Sequence, residues 1–305
     1  MLFTFQQGQL GRRVVNQIVS PLDNYTDGLW ACYGIGRLLS SYSGSLIRVR
    51  ESGGDTEQDI GFLSDGSLDT TSLASFVGAN SGFITTWYDQ SGSGNDMLQA
   101  TTTRQPRIVN AGSYDGSLVF NPTGTDDFLQ TTATGSSSVN AKSIFRRYTT
   151  RARNTDNILF EYGDGALIAT ASGANQIQCD DTSSTLDRMI SFLATNATGT
   201  GYYDVRYGGA LDQPTPTSNG VVILKGQTSA NTFYTYQGGA LVTPRVNNTT
   251  GTVVTTGNFP AYAWSLGARS STASLGAQID MYSCAIYDAD KRTDALAINS
   301  ALDSL

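Results

Sequence analysis

From Gly82 to Ile286 the chain sets down short apolar runs at fairly regular spacing, each closed by Gly, Asn, Ser or Pro. Runs of that length bury too little to stand alone and must pair into sheets. They include 82–88, 108–109, 117–120, 143–148, 157–162, 166–171, 190–193, 201–207, 221–225, 232–237, 251–255, 261–268 and 277–286. Upstream, residues 31–40 read as a short helix or turn, 45–50 and 59–63 as strands, and Asp69–Val77 as a short helix with Asp69 as its N-cap. A terminal helix is expected over Thr293–Ser304, with Asp290 as its cap and Ala295, Ile298, Ala301 and Leu302 on the apolar side. No repeat of fixed period appears, which disfavours a propeller or solenoid. The expectation is an all-β antiparallel sandwich with short helices and a C-terminal helix.

The 305 residues carry 39% hydrophobic and 15% charged side chains, enough for a core and too apolar for a disordered chain. A net charge of −7 disfavours nucleic acid and anionic membrane as partners. Histidine is absent, which removes Ser-His-Asp and Cys-His catalysis and imidazole metal sites. Cys32, Cys179 and Cys284 are an odd, dispersed set without zinc spacing and read as buried thiols of a protein made in a reducing cytoplasm. The N-terminus has no signal-like apolar region, and no window approaches a membrane span. Residues 1–28 break at Ser20-Pro21 and read as an N-terminal arm or docking segment, with the sandwich filling 29–305.

The most concentrated polar stretch is Asp89-Gln-Ser-Gly-Ser-Gly-Asn-Asp96, entered from the strand ending Trp87-Tyr88 and left towards Gln105-Pro106-Arg107. Gly92 and Gly94 supply positive φ, while Asp89, Asn95 and Asp96 fold back onto the backbone. The same three side chains form a weak oxygen set for Ca²⁺, without the ligand spacing of an EF-hand loop. No cofactor is expected. Trp87, Tyr88, Tyr203, Tyr207, Tyr234 and Tyr236 are candidates for stacking on sugar rings, against the plainer reading of aromatic residues packed on a sheet. Arg146, Arg147, Arg151 and Arg153 form a basic cluster able to meet acidic polysaccharide or a partner subunit, or simply a solvated strand edge.

Trp87–Asn95, Gln105-Pro106 and Thr125-Asp-Asp-Phe-Leu129 occur in an order that resembles concanavalin-A-like (laminin-G-like) sandwiches, and within them the arabinofuranosidase B catalytic-domain family. Residues 38–50, Phe160–Gly163 and 266–288 resemble further blocks of that family. The resemblance implies a jelly-roll sandwich and, in the family's enzymes, two carboxylates flanking the glycosidic bond. In this chain the acid's turn reads Leu266-Gly-Ala-Arg-Ser-Ser271, and the stretch matched to the nucleophile's strand reads Tyr203-Asp-Val-Arg206. A catalytic role is therefore not expected; relocated carboxylates at Asp204, Glu161 and Asp280 are the alternative. The same blocks resemble parts of bacteriophage and gene-transfer-particle virion proteins. That implies a tail-fibre, tail-tip or head-spike component on the virion surface, made in the bacterial cytoplasm without a signal peptide. Its implied partners are other virion proteins through the arm and host polysaccharide, in an assembly that for fibres and spikes is often trimeric.

Overall fold

The chain's architecture was obtained as a computed structural model that describes residues 20–122, 126–152, 157–163, 177–181, 189–194, 202–207, 215–224, 233–243, 246–250, 258–268 and 276–305. Every pairing between its strands is antiparallel. One sheet runs β1 (Leu29–Gly34), β19 (Gln278–Tyr287), β9 (Ala141–Ala152), β14 (Thr217–Leu224), β15 (Phe233–Gln237), β16 (Ala240–Val242). The opposing one runs β3 (Glu57–Ile60), β2 (Ile47–Glu51), β4 (Gly82–Trp87), β5 (Met97–Leu98), β8 (Leu129–Thr131), β18 (Ala263–Leu266), β10 (Asn157–Gly163). It continues through β11 (Ile177–Asp181), β12 (Met189–Ala194), β13 (Tyr202–Tyr207) and β17 (Val246–Thr250). The pair β6 (Arg107–Asn110) and β7 (Ser113–Phe120) joins the sheets, β6 bonding to β4 and β7 to the first half of β19. The antiparallel sandwich expected from the turn-bounded runs is the one observed. The expected runs at 166–171 and 251–255 lie outside the described residues.

Period-two alternation sorts the first sheet's side chains into two cores. Ile144, Val221, Ile223, Cys284 and Ile286 point into the space between the sheets, where they meet Ile47, Ile84, Trp87, Phe160, Tyr162 and Trp264. Their neighbours Phe145, Val222, Ala285 and Tyr287 point the other way, beneath α2 (Ala295–Asp303), which contributes Ala295, Ile298 and Leu302. Gly220 leaves room on that face: a Cβ there would lie 2.4 Å from the Phe145 ring.

This two-sided burial explains one departure from the sequence reading. Residues 31–40 do not begin a helix; Leu29–Gly34 is strand β1, in register with Tyr287–Ser283. Ala31 and Tyr33 enter one core and Cys32 the other, so the run is apolar without alternation, the signature of a strand buried on both faces. Helix α1 (Thr70–Val77) forms as expected, with Asp69 accepting from Ser72 N at 2.9 Å. Asp290 does not cap α2: its carboxylate holds Arg292 at 2.7 Å, and the helix starts after Asp294.

Residues 20–28, placed with the N-terminal segment by sequence, pack on the sandwich. Leu22 is fully buried in the second core, and its N–H donates to Leu38 O at 2.9 Å. Among the described residues, no helix is long and apolar enough to cross a membrane.

Candidate functional site

The Asp89–Asp96 loop is stitched to the strand beside it. Asp89 Oδ1 accepts from Cys32 N at 3.0 Å and Ser91 N at 2.8 Å; Oδ2 accepts from Ser91 Oγ at 2.7 Å and Asn95 N at 3.1 Å. Gln90 spends its amide on Leu38 N, Gly34 O and Gly36 O, and Asn95 donates to Trp30 O at 2.7 Å. Asp96 accepts from Asp89 N at 2.8 Å, and burial, reinforced by Asp89, lifts its carboxyl above the usual range. Gly92 and Gly94 take φ of 84° and 74°, as the turn requires. Both oxygens of Asp89 thus face N–H and O–H donors, where a Ca²⁺ site would need open lone pairs. No metal-capable cluster occurs among the described residues. The loop is a structural clasp.

The four aromatic candidates whose side chains are described do not converge. Trp87 is fully buried, tilted against Tyr33 with ring centroids 5.6 Å apart. Tyr88 donates to Asp59 at 2.8 Å beside the Arg48 ion pairs. Tyr236 is buried in the second core, and Tyr234 lies under the Arg292 guanidinium, 4.8 Å from its carbon. Tyr203 and Tyr207 belong to β13, but their side chains lie outside the described residues. Those that are described pack on the sheets.

The alternative carboxylates are also accounted for in part. Glu161 has no exposed surface, and Asp280 is held by Arg151 and by Thr149 Oγ1. The side chain of Asp204, like residues 269–275, lies outside the described residues. Asp126 and Asp127 tie the neighbouring loop instead: Asp126 accepts from Gly276 N at 3.1 Å and Asp127 from Asn121 N at 2.8 Å. Cys32 and Cys284 are buried free thiols, as expected, with Cys284 pushed up to about 12 by burial; the side chain of Cys179 lies outside the described residues.

The basic cluster is not one solvated edge. Arg146 points between the sheets, fully buried, with its guanidinium carbon 4.5 Å from the Phe160 ring centroid and its Nη2 donating to Asn219 at 2.8 Å. Arg147, one residue on, faces the opposite way. Arg151 is engaged with Asp280, and Arg153 lies outside the described residues.

Arg147 opens onto a cleft of about 720 Å³ that no sequence motif announced. Ile35–Arg37 after β1, Leu63 and Asp65–Leu68 before α1, Tyr114 and Gly116 of β7, Tyr282 of β19 and Ser304-Leu305 after α2 line it. Arg37 lies 5.2 Å from the Phe62 ring centroid and Arg147 lies 5.1 Å from that of Tyr282. The Nε–H of each is buried without a hydrogen-bond acceptor. Burial lifts the Tyr114 hydroxyl to about 12, with Tyr282 and Asp115 adding to the shift, so it stays a donor. Asp65 is held below the usual carboxylate range by its hydrogen bonds from Ser67. The volume and the mixture of aromatic, cationic and hydroxyl groups suit a small polar ligand.

A family model described as alpha-L-arabinofuranosidase B, catalytic, matches residues 21–123. A GH54 α-L-arabinofuranosidase soaked with a cyclic sulfate inhibitor superposes with TM-score 0.58 at 17% identity, over 93% of this chain and 64% of that one. The fold is that of the arabinofuranosidase B catalytic domain. An arabinofuranosidase complexed with arabinofuranosyl-alpha-1,2-xylobiose gives TM-score 0.55 at 18% identity, with the same coverage. This chain therefore spans less than two thirds of the length of either enzyme. No curated protein matches it.

The turn-bounded runs and the Trp87–Asn95 block point to the fold, but no pattern in the sequence marks the cleft residues. Arg37 sits inside an apolar stretch, and Tyr114 and Tyr282 are single aromatic residues in ordinary strands. Only the doublet Arg146-Arg147 hinted at the cleft, and period-two alternation sends just one of the pair there.

Proposed function

We propose that this chain is a non-catalytic, carbohydrate-binding sandwich carried on a bacteriophage-type particle, where it contacts the host surface. The observation that carries the reading is a glycosidase fold whose carboxylate positions are altered. By the resemblance set out above, the stretches compared with the nucleophile's strand and the acid's turn read Tyr203-Asp-Val-Arg206 and Leu266-Gly-Ala-Arg-Ser-Ser271, which supports the loss of the catalytic carboxylates. Of the substitutes, Glu161 is enclosed and Asp280 is neutralised by Arg151. Retaining hydrolysis needs two carboxyl groups about 5–5.5 Å apart across the bond, one of them protonated. A sugar-shaped fold without that pair retains the recognition half of the chemistry.

The particle setting is supported by the resemblance of the blocks at 38–50 and 87–95 to virion proteins. The test has two arms. Removing residues 1–18 leaves Ser20–Gly28 packed and is expected to yield a folded sandwich that no longer enters particles; normal incorporation would overturn the particle reading. Purified protein is expected to bind host capsule or lipopolysaccharide and to release nothing from aryl α-L-arabinofuranosides. A hydrolase is the second reading, favoured by the catalytic-domain match over 21–123. Release that is lost on Asp280→Asn or Asp204→Asn would establish it.

A further inference from the structure

We infer that the Arg37–Arg147 cleft is the sugar site and that it selects an acidic saccharide, one bearing a ring carboxylate. The inference rests on the carbohydrate-binding reading above and adds the ligand class and the place.

Guanidinium groups in folded proteins usually find carboxylates or carbonyls, because each carries five donors in a fixed fork. Among the described residues Arg37 makes no side-chain hydrogen bond and no ion pair; its contact is the face of Phe62. Arg147 comes no closer than 4.0 Å to Asp303, and the same Asp303 oxygen is already taken by Ser218 N at 2.7 Å. Both guanidiniums thus lie over aromatic rings in one concave surface, each with its Nε–H buried and unmet. Stacking fixes the plane of the fork while leaving its N–H groups for an incoming anion.

The rest of the lining narrows the anion to a sugar acid. Tyr114 is 40% exposed and offers an apolar ring face for the C–H side of a pyranose, beside Tyr282, whose ring carries Arg147. Asp65 accepts from Ser67 through Oδ1 alone, which leaves Oδ2 as an acceptor for sugar hydroxyls. The Tyr114 hydroxyl supplies a donor. A bare inorganic anion would use the arginines and leave the tyrosines and Asp65 idle; a neutral sugar would leave Arg37 without an anion and Arg147 with only Asp303 at 4.0 Å.

The test is calorimetric titration of the full chain with galacturonic-acid trisaccharide, galactose trisaccharide and sodium sulfate, repeated on Arg37→Gln and Arg147→Gln. The acidic trisaccharide is expected to bind the parent, with affinity falling as salt rises, and to lose about tenfold or more in either variant. Thermal melting serves as the folding control and is expected to be unchanged for Arg37→Gln, since that side chain forms no hydrogen bond among the described residues. If host polysaccharide binds the parent and both variants equally, the carbohydrate-binding reading stands and this one falls. If sulfate binds as tightly as the trisaccharide, the cleft is an anion site without sugar selectivity and the inference is overturned. Binding of no saccharide at all would sink both.

Discussion

The Asp89–Asp96 loop and the Arg37–Arg147 cleft are both dense in polar side chains, and they use them in opposite ways. In the loop, a single carboxylate meets four donors, and Gln90 and Asn95 satisfy the backbone of the strand opposite. In the cleft, two guanidiniums rest on aromatic rings with donors to spare. Polar density therefore does not mark a binding site. What separates the two regions is whether the hydrogen-bonding capacity is already consumed within the fold.

The largest expected effect tests the loop. Asp89→Ala strands the N–H groups of Cys32 and Asn95 in a buried corner, where an unmet donor costs about 1–3 kcal/mol and charged acceptors count for more. A loss of about 3 kcal/mol or more is expected in urea unfolding. A loss below about 0.5 kcal/mol, the size typical of surface substitutions, would show that the loop is not the clasp described and reopen it as a ligand site.

Next in size is Arg146, which shares the cleft arginines' unspent donors but has no opening to solvent. Its Nε and Nη1 are orphaned, as is Nδ2 of its partner Asn219. Replacing both partners of a buried hydrogen bond by apolar residues of the same shape can be nearly neutral or stabilising. Arg146→Met with Asn219→Val is expected to be at least as stable as the parent and to leave saccharide affinity unchanged. A marked drop in affinity would mean that unspent donors in the core, and not only those in the cleft, serve the ligand.

How much of this was readable beforehand follows from which interactions are local. The sandwich was, because short apolar runs closed by Gly, Asn, Ser or Pro are written within a few residues and must pair into sheets. Helix α1 and its Asp69 cap were readable for the same reason. Strand β1 was not, because a segment buried on both faces loses alternation, and only its pairing with β19 distinguishes it from a helix. The clasp's own turn was readable, because Ser91 and Asn95 lie two and six residues from Asp89; its anchorage to Cys32 and Leu38 was not, because those lie more than fifty residues away from their acceptors. The cleft was invisible because Arg37, Tyr114, Arg147 and Tyr282 come from four separate elements.

The smallest effect sharpens the account of the clasp by pH. Burial and the neighbouring Asp89 raise the folded-state pKa of Asp96 above its unfolded value. A carboxyl raised in this way favours the fold below the unfolded value, about 3.9, and that contribution is lost as pH rises through the folded value. At neutral pH Asp96 is therefore a net burden carried for its hydrogen bond to Asp89 N. Asp96→Asn keeps the accepting Oδ1 and removes the charge. The variant is expected to unfold at a higher urea concentration than the parent at pH 7, with the difference shrinking as pH approaches 4 and absent below it. Equal stability at both pH values would mean that the two carboxylates do not oppose one another and that the loop tolerates both charges. A variant less stable at pH 7 would point instead to a cation held between Asp89 and Asp96, and the comparison between a satisfied loop and an unsatisfied cleft would have to be redrawn.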